Sequence, residues 1–341
     1  MLERILVIRR DNIGDLVCTT PLFTALRRHF PQAAIVALVN SYNAPVLAGN
    51  LDIDEVCIYQ KAKHRASGAS KLGVWWRTWR LIRRLRHLQF DLAIVAASVR
   101  QPEALKFARW VGAKRIIAYG LATDGIDDPL ATEEPNGLHE AELVMRLLQP
   151  LGISEAPGPM SVLPVPEVVA GIPEPAGEGP LIGLHISARK PSQRWPVERF
   201  GELAHALHAK NGARFLVFWS PGPENHPQHP GDDDKAAQLQ ALCADLPLFL
   251  SPTQHLEELI AGLSRCAQVI CSDGGGMHLA AGLGKPVVCF FGNSDAQRWY
   301  PWGVPHRLLQ PVSREVRDIS LAEVLAAVAD LDGAPASKAA P

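Results

Sequence analysis

Residues 265–292, RCAQVICSDGGGMHLAAGLGKPVVCFFG, limit the possible folds of this chain more than any other stretch. An apolar run ends in Asp273 and three glycines, Gly274, Gly275 and Gly276. A helix of small residues follows at once, then a Gly-Lys-Pro break and a second apolar run. Strand, glycine turn, helix, strand is the grammar of a βαβ unit that holds a phosphate at a helix N-terminus. The glycines let the backbone approach a ligand, and the first free N–H groups of the helix point at its charge.

The same alternation runs along the whole chain. Strand patterns fall at 4–9, 33–40, 55–59, 90–97 and 115–120. Helix patterns lie between them at 17–30, 72–88 and 103–111, with a further helix from His139. Residues 154–180 carry seven prolines and four glycines, the composition of a linker. Strand and helix then resume with 181–187, a helix after Pro196, 214–220 and a helix at 254–264. Ser320 and Glu323 have the spacing of a capping box for a last helix, 321–331. Repeated βα units on both sides of a linker predict an α/β protein of two doubly wound, Rossmann-like domains with a central cleft. The boundaries read as 1–165, a linker over 166–180, 181–317, a last helix within 318–332, and a disordered tail from 333.

Charge and composition exclude several classes. A net charge of −1 argues against generic nucleic-acid binding. No apolar run approaches the ~20 residues of a membrane span, and MLERILVIRR runs straight into a strand without a signal-peptide layout, so a cytoplasmic protein is expected. The six cysteines form no CxxC pair and read as buried thiols. Asp52-Ile53-Asp54 precedes a short strand and reads as structural; Asp232-Asp233-Asp234 reads as a solvated loop. No metal is expected.

Four loops carry the candidate chemistry. Arg10-Asp11-Asn12-Ile13-Gly14-Asp15 joins the first strand to the first helix, where ligands meet such sheets. Asp15 is there either a general base or a cap that complements the helix dipole. Asp273 either bonds sugar hydroxyls or caps its helix, and Met277 and His278 stand in that helix's first turn. The loop His185–Pro196 crowds Ser187, Arg189, Lys190, Gln193 and Arg194 at a strand end, as a solvated loop or as a diphosphate site. Glu224, after the next strand, could accept hydrogen bonds from a ribose or adenine edge. A fifth segment is basic: between Glu55 and Asp91 there is no acidic residue, while Lys61, Lys63, Arg65, Arg77 and other cations interleave with Trp75, Trp76 and Trp79. Trp75, Trp79, Ile82 and Leu85 share a helical face. That face is a core stripe, or the segment meets an anionic acceptor or membrane headgroups.

Taken in order, ILVIRRDNIGDLVCTTPLFTALRRHFPQAAI, HEAELVMRLLQPLGI, HISARKPSQRWPVERFGELAHAL and CSDGGGMHLAAGLGKPVVCFFGNSDAQRWYPWG resemble glycosyltransferase family 9, the ADP-heptose:lipopolysaccharide heptosyltransferases. The resemblance implies the GT-B architecture, with the last helix packing back on the first domain. It implies inverting transfer of heptose from ADP-L-glycero-D-manno-heptose to the lipopolysaccharide inner core, with no cofactor beyond the ADP-sugar donor. Asp15 would be the base. Ser187, Arg189, Lys190, Gln193, Arg194, Glu224, Asp273, Gly274, Gly275, Gly276, Met277 and His278 would bind the donor. Asn12, Gly14, Lys61, Lys63, Arg65 and Arg77 would bind the anionic glycolipid acceptor, at or near the cytoplasmic face of the inner membrane.

Three departures stand out. The family usually has Asp-Thr-Gly where this chain has Asp273-Gly274-Gly275. It often places a lysine at the position of Gln193, so the neutralising cation would be Arg194, Lys190 or Arg189. It often has serines where Asp11 and Asn12 stand. Another nucleotide-sugar donor such as a UDP-sugar, an epimerase, or a non-catalytic sugar-nucleotide or glycan binder are the alternatives.

Overall fold

The computed structural model describes residues 2–59, 71–131, 137–224 and 231–332. The chain divides into two compact units, Met1–Val162 and Leu163–Pro341.

The first unit runs β1 (Arg4–Ile8), α1 (Ile13–Val17), α2 (Thr20–His29), β2 (Ala34–Asn40), β3 (Glu55–Tyr59), α3 (Lys71–His87), β4 (Leu92–Val95), α4 (Pro102–Val111), β5 (Ile116–Tyr119), β6 (Asp128–Leu130) and α5 (Glu140–Met145). All strands are parallel, in the order β3-β2-β1-β4-β5-β6. Strands covered on both faces need continuous apolar runs, and β1 (RILVI) and β2 (AIVALVN) supply them. The strand order reverses between β1 and β4, and ligands bind outside the carboxyl ends of strands at such a point.

The second unit repeats the plan. It comprises α6 (Pro166–Ala170), β7 (Leu181–His185), α7 (Val197–Asn211), β8 (Arg214–Trp219), α8 (Asp233–Leu242), β9 (Leu248–Pro252), α9 (Leu256–Arg265), β10 (Gln268–Ser272), α10 (Gly275–Gly282), β11 (Val287–Phe290), α11 (Ala296–Trp299), β12 (His306–Leu309) and α12 (Leu321–Asp332). Its parallel sheet is ordered β12-β11-β10-β7-β8-β9, so the switch point lies between β7 and β10.

The structure corrects several expectations. The helix expected over 17–30 is two helices, broken around Cys18 and Thr19. The Pro-rich linker is no free tether: Glu174 pairs with both Arg214 and Arg265, and Arg214 Nε donates to the Gly179 carbonyl at 2.9 Å. Val324, Ala327, Val328 and Leu331 of α12 lie in the second unit's own core with Leu203 and Leu207 of α7. The capping box holds, since Ser320 N and Oγ both donate to Glu323 Oε2 at 2.8 and 2.6 Å. In α3 the core stripe is confined to the last turns. Leu85 is buried and Leu81 and Ile82 pack on the core, whereas Trp75 and Trp79 are 65% and 41% exposed. No helix among the described residues is long and apolar enough to cross a membrane. The tail from 333 lies outside the described residues.

Candidate active site

At the first switch point, β1 delivers Arg9 into the interior, 1% exposed. Its guanidinium faces three carboxylates. One nitrogen, Nη2, donates to Asp15 Oδ1 at 2.7 Å and to Glu140 Oε1 at 2.9 Å, and Nε lies 3.3 Å from Asp11 Oδ2. Nη1 donates to the Ala96 carbonyl just beyond β4. The second oxygen of Asp15 accepts from the Asn12 backbone N–H at 3.1 Å and from its amide at 3.0 Å. Burial acts to raise the Asp15 pKa, but Arg9 and the Asn12 hydrogen bonds outweigh it, and the carboxyl sits below its ordinary value. Asp15 is therefore ionised at neutral pH, and its side chain remains 15% exposed. The capping reading of Asp15 holds, because its carboxylate accepts from the Asn12 N–H at the N-terminus of α1.

At the second switch point the glycine turn has the expected form. Gly274 adopts φ 152° and ψ −170°, a conformation essentially reserved for glycine, and α10 starts at Gly275. A Cβ on Gly276 would meet the His185 ring at 3.2–3.3 Å, so the turn lies directly on the end of β7. Burial, with the nearby charge of Lys235, lowers the His185 pKa to about 4, which keeps the imidazole neutral. Asp273 Oδ2 accepts from Gln193 Nε2 at 2.7 Å, and Ser272 Oγ donates to the Gln193 carbonyl at 2.6 Å. Gln193 thereby ties the 188–196 loop to the glycine turn.

Residues 152–315 match the model of glycosyltransferase family 9 (heptosyltransferase). Lipopolysaccharide heptosyltransferase 2 of Salmonella typhimurium is 29% identical over 315 residues, covering 86% of this chain and 83% of the relative. Two solved structures share the fold. The glycosyl transferase family 9 protein of Veillonella parvula superposes with a TM-score of 0.80 at 19% identity, over 96% of this chain and 97% of its own. E. coli ADP-heptose lps heptosyltransferase II gives 0.76 at 18%, over 96% and 98%. The family 9 model thus covers just under half of the chain, and lipopolysaccharide heptosyltransferase relatives align along most of its length.

The chain has the GT-B fold, and the structure distributes the expected site residues unevenly. Asp15, Asn12 and buried Gly14 form one cluster in the first unit. Ser187, Gln193, Arg194, Glu224 and Asp273–His278 gather around the second switch point. Arg194 is not a free cation: its guanidinium donates to Glu224 and to the Ala188 carbonyl and lies 3.7 Å from Asp232. Arg189 and Lys190 are exposed on the same loop. His278 is buried, its ring edge-on to Trp299 at 5.9 Å. Arg77 is exposed on α3; Lys61, Lys63 and Arg65 lie outside the described residues.

Asp232 overturns the solvated-loop reading of its triplet. It is 4% exposed, immediately precedes α8 and accepts from Ser187 Oγ at 2.6 Å, while Asp233 accepts from Trp219 Nε1 at 2.8 Å. The Asp52 and Asp54 carboxylates are structural, accepting from Thr24 Oγ1 and from Arg27 and the Ile35 N–H. Sequence reasoning missed Arg9, Glu140 and Lys235. Lys235 Nζ donates to the Ile186 and Trp195 carbonyls at 2.9 and 2.8 Å and so closes the donor-side loop at both ends. Burial lowers its pKa to about 8. The available signal for Arg9 and Glu140 was a charge at the inner end of an apolar strand and a glutamate opening a helix.

Proposed function

We propose that this enzyme transfers a heptose from ADP-L-glycero-D-manno-heptose to the inner core of lipopolysaccharide, with inversion at the anomeric carbon. Heptosyl transfer in core assembly is what the curated relatives are named for, and the match spans most of this chain. The observation that carries the mechanism is the ionised Asp15 carboxylate at the switch point of the first sheet. In this reading the acceptor hydroxyl attacks the anomeric carbon, its proton passes to Asp15, and the bond to the diphosphate breaks. Charge then grows on the departing ADP. The N–H groups opening α10 at Gly275 and Gly276 are fixed donors for it, and fixed donors contribute most where charge develops. Arg189 and Lys190 supply cations on the adjoining loop, in place of a lysine at Gln193. Asp273, held by Gln193, faces the sugar.

Acceptor binding falls to Asn12 and the Asp15 turn, with Lys61, Lys63, Arg65 and Arg77 meeting the anionic core. The exposed Trp75, Trp76 and Trp79 among the arginines of α3 fit contact with the cytoplasmic face of the inner membrane. No cofactor or metal enters this scheme.

The test is ADP release with ADP-heptose and a panel of truncated core acceptors. Release with an inner-core acceptor, abolished by Asp15→Asn in a folded protein, is expected. Release with a UDP-sugar instead would overturn the donor, and full activity of Asp15→Asn would remove it from the mechanism.

A further inference from the structure

The Arg9 cluster contains a difficulty. A guanidinium 2.7 Å from a carboxylate depresses its pKa by roughly one to three units, and a weak carboxylate makes a poor general base. Arg9 is also positioned too rigidly to move away. It is 1% exposed and anchored to the Ala96 carbonyl.

Glu140 changes this balance. It opens α5, is 1% exposed, and takes the second hydrogen of the same Arg9 nitrogen that holds Asp15. Ser98, just beyond β4, fixes it in place, with Oγ 3.0 and 2.8 Å from its two oxygens. Among the described residues, the charged and titratable groups of this cluster include Arg9 just beyond β1, Asp11, Asp15 and Cys18 around α1, and Glu140 on α5. The Cys18 thiol is held protonated by burial and by the two carboxylates, so it adds no charge. One cation is thus divided among three carboxylates. A second carboxylate on the shared nitrogen repels the charge on Asp15 and favours its protonated form. When Asp15 takes up a proton, Arg9 keeps Glu140 as its counter-ion, and the buried guanidinium is never left alone.

We propose that Glu140 is a positioning residue for Asp15: by sharing the Arg9 Nη2 group it lets the guanidinium fix Asp15 while blunting its pull on the Asp15 charge. The proposal rests on Asp15 being the base, and its test separates the two ideas. The aspartates are labelled with ¹³C at the carboxyl, and the Asp15 signal is identified by its loss in Asp15→Asn. In Glu140→Gln the Asp15 titration midpoint should fall by about one unit. In ADP release, kcat should drop by roughly three- to tenfold with both KM values unchanged, and Glu140→Asp should recover most of it. Should Glu140→Gln not fold, Ser98→Ala loosens Glu140 and should lower the midpoint in the same direction by less. An unmoved or raised midpoint in a folded variant overturns the proposal. Full activity of Asp15→Asn overturns the base assignment instead, and the titration still decides whether Glu140 tunes Asp15.

Discussion

Replacing Gly274 by threonine, the residue that the family resemblance would place there, should weaken this protein. The backbone at Gly274 has φ 152° and ψ −170°, where a Cβ costs on the order of 1–3 kcal/mol. The position is spacious, with no atom within 4 Å of a built Cβ, so collision adds nothing. The loss is therefore a backbone effect, and Gly274→Ala should cost as much as Gly274→Thr. A loss of about 2 kcal/mol in a unit of this size lowers the melting temperature by roughly 4–8 °C. Differential scanning calorimetry of wild type, Ala and Thr variants reads this directly. The strained turn also sets the first N–H groups of α10, so ADP affinity should fall in both variants. A Gly274→Thr protein that melts within a degree of wild type would refute the reasoning. An alanine variant that is harmless beside a damaging threonine would refute it too, since the side chain would then be responsible.

Arg9→Met should cost about 3–5 kcal/mol in urea unfolding at pH 7, because it strands buried carboxylates without their cation. The deficit should shrink as the pH falls and Asp15, without its cation, takes up a proton; a loss under 1 kcal/mol at pH 7 would contradict the cluster's role. Asp91 accepts from the Glu3 and Arg4 N–H groups and from Lys114, which lower its pKa to about 2. A depressed folded pKa means its contribution is full above about pH 4 and is lost as pH falls toward 2. Asp91→Asn should flatten the stability curve over that window, and an unchanged slope would count against it. Leu85→Ala should cost about 2–5 kcal/mol, whereas Trp75→Ala should stay within about 0.5 kcal/mol. Equal thermal shifts for the two would mean that α3 is seated differently.

The contrast between Leu85 and Trp75 also shows where sequence reading stops. Period and punctuation located most strands and helices, because parallel strands buried on both faces are nearly continuous apolar runs and glycine and proline mark their ends. Period does not say where along an amphipathic helix its neighbour ends. Trp75, Trp79, Ile82 and Leu85 share one stripe, yet only the last turns reach the core. The glycine turn after Asp273 was legible because the backbone at Gly274 demands glycine. Asp15 was legible from its place after a strand. Its Glu140 partner was not, since Arg9 and Glu140 are 131 residues apart and meet only once α5 is packed against α2. Lys235 and Asp232 were hidden for the same reason, as a run of surface-type residues becomes a buried brace only when α8 is folded onto β8. Local pattern thus marks where a ligand is cradled. The charges that tune the reacting group arrive from distant segments, and a substitution such as Glu140→Gln tests that second layer of the site.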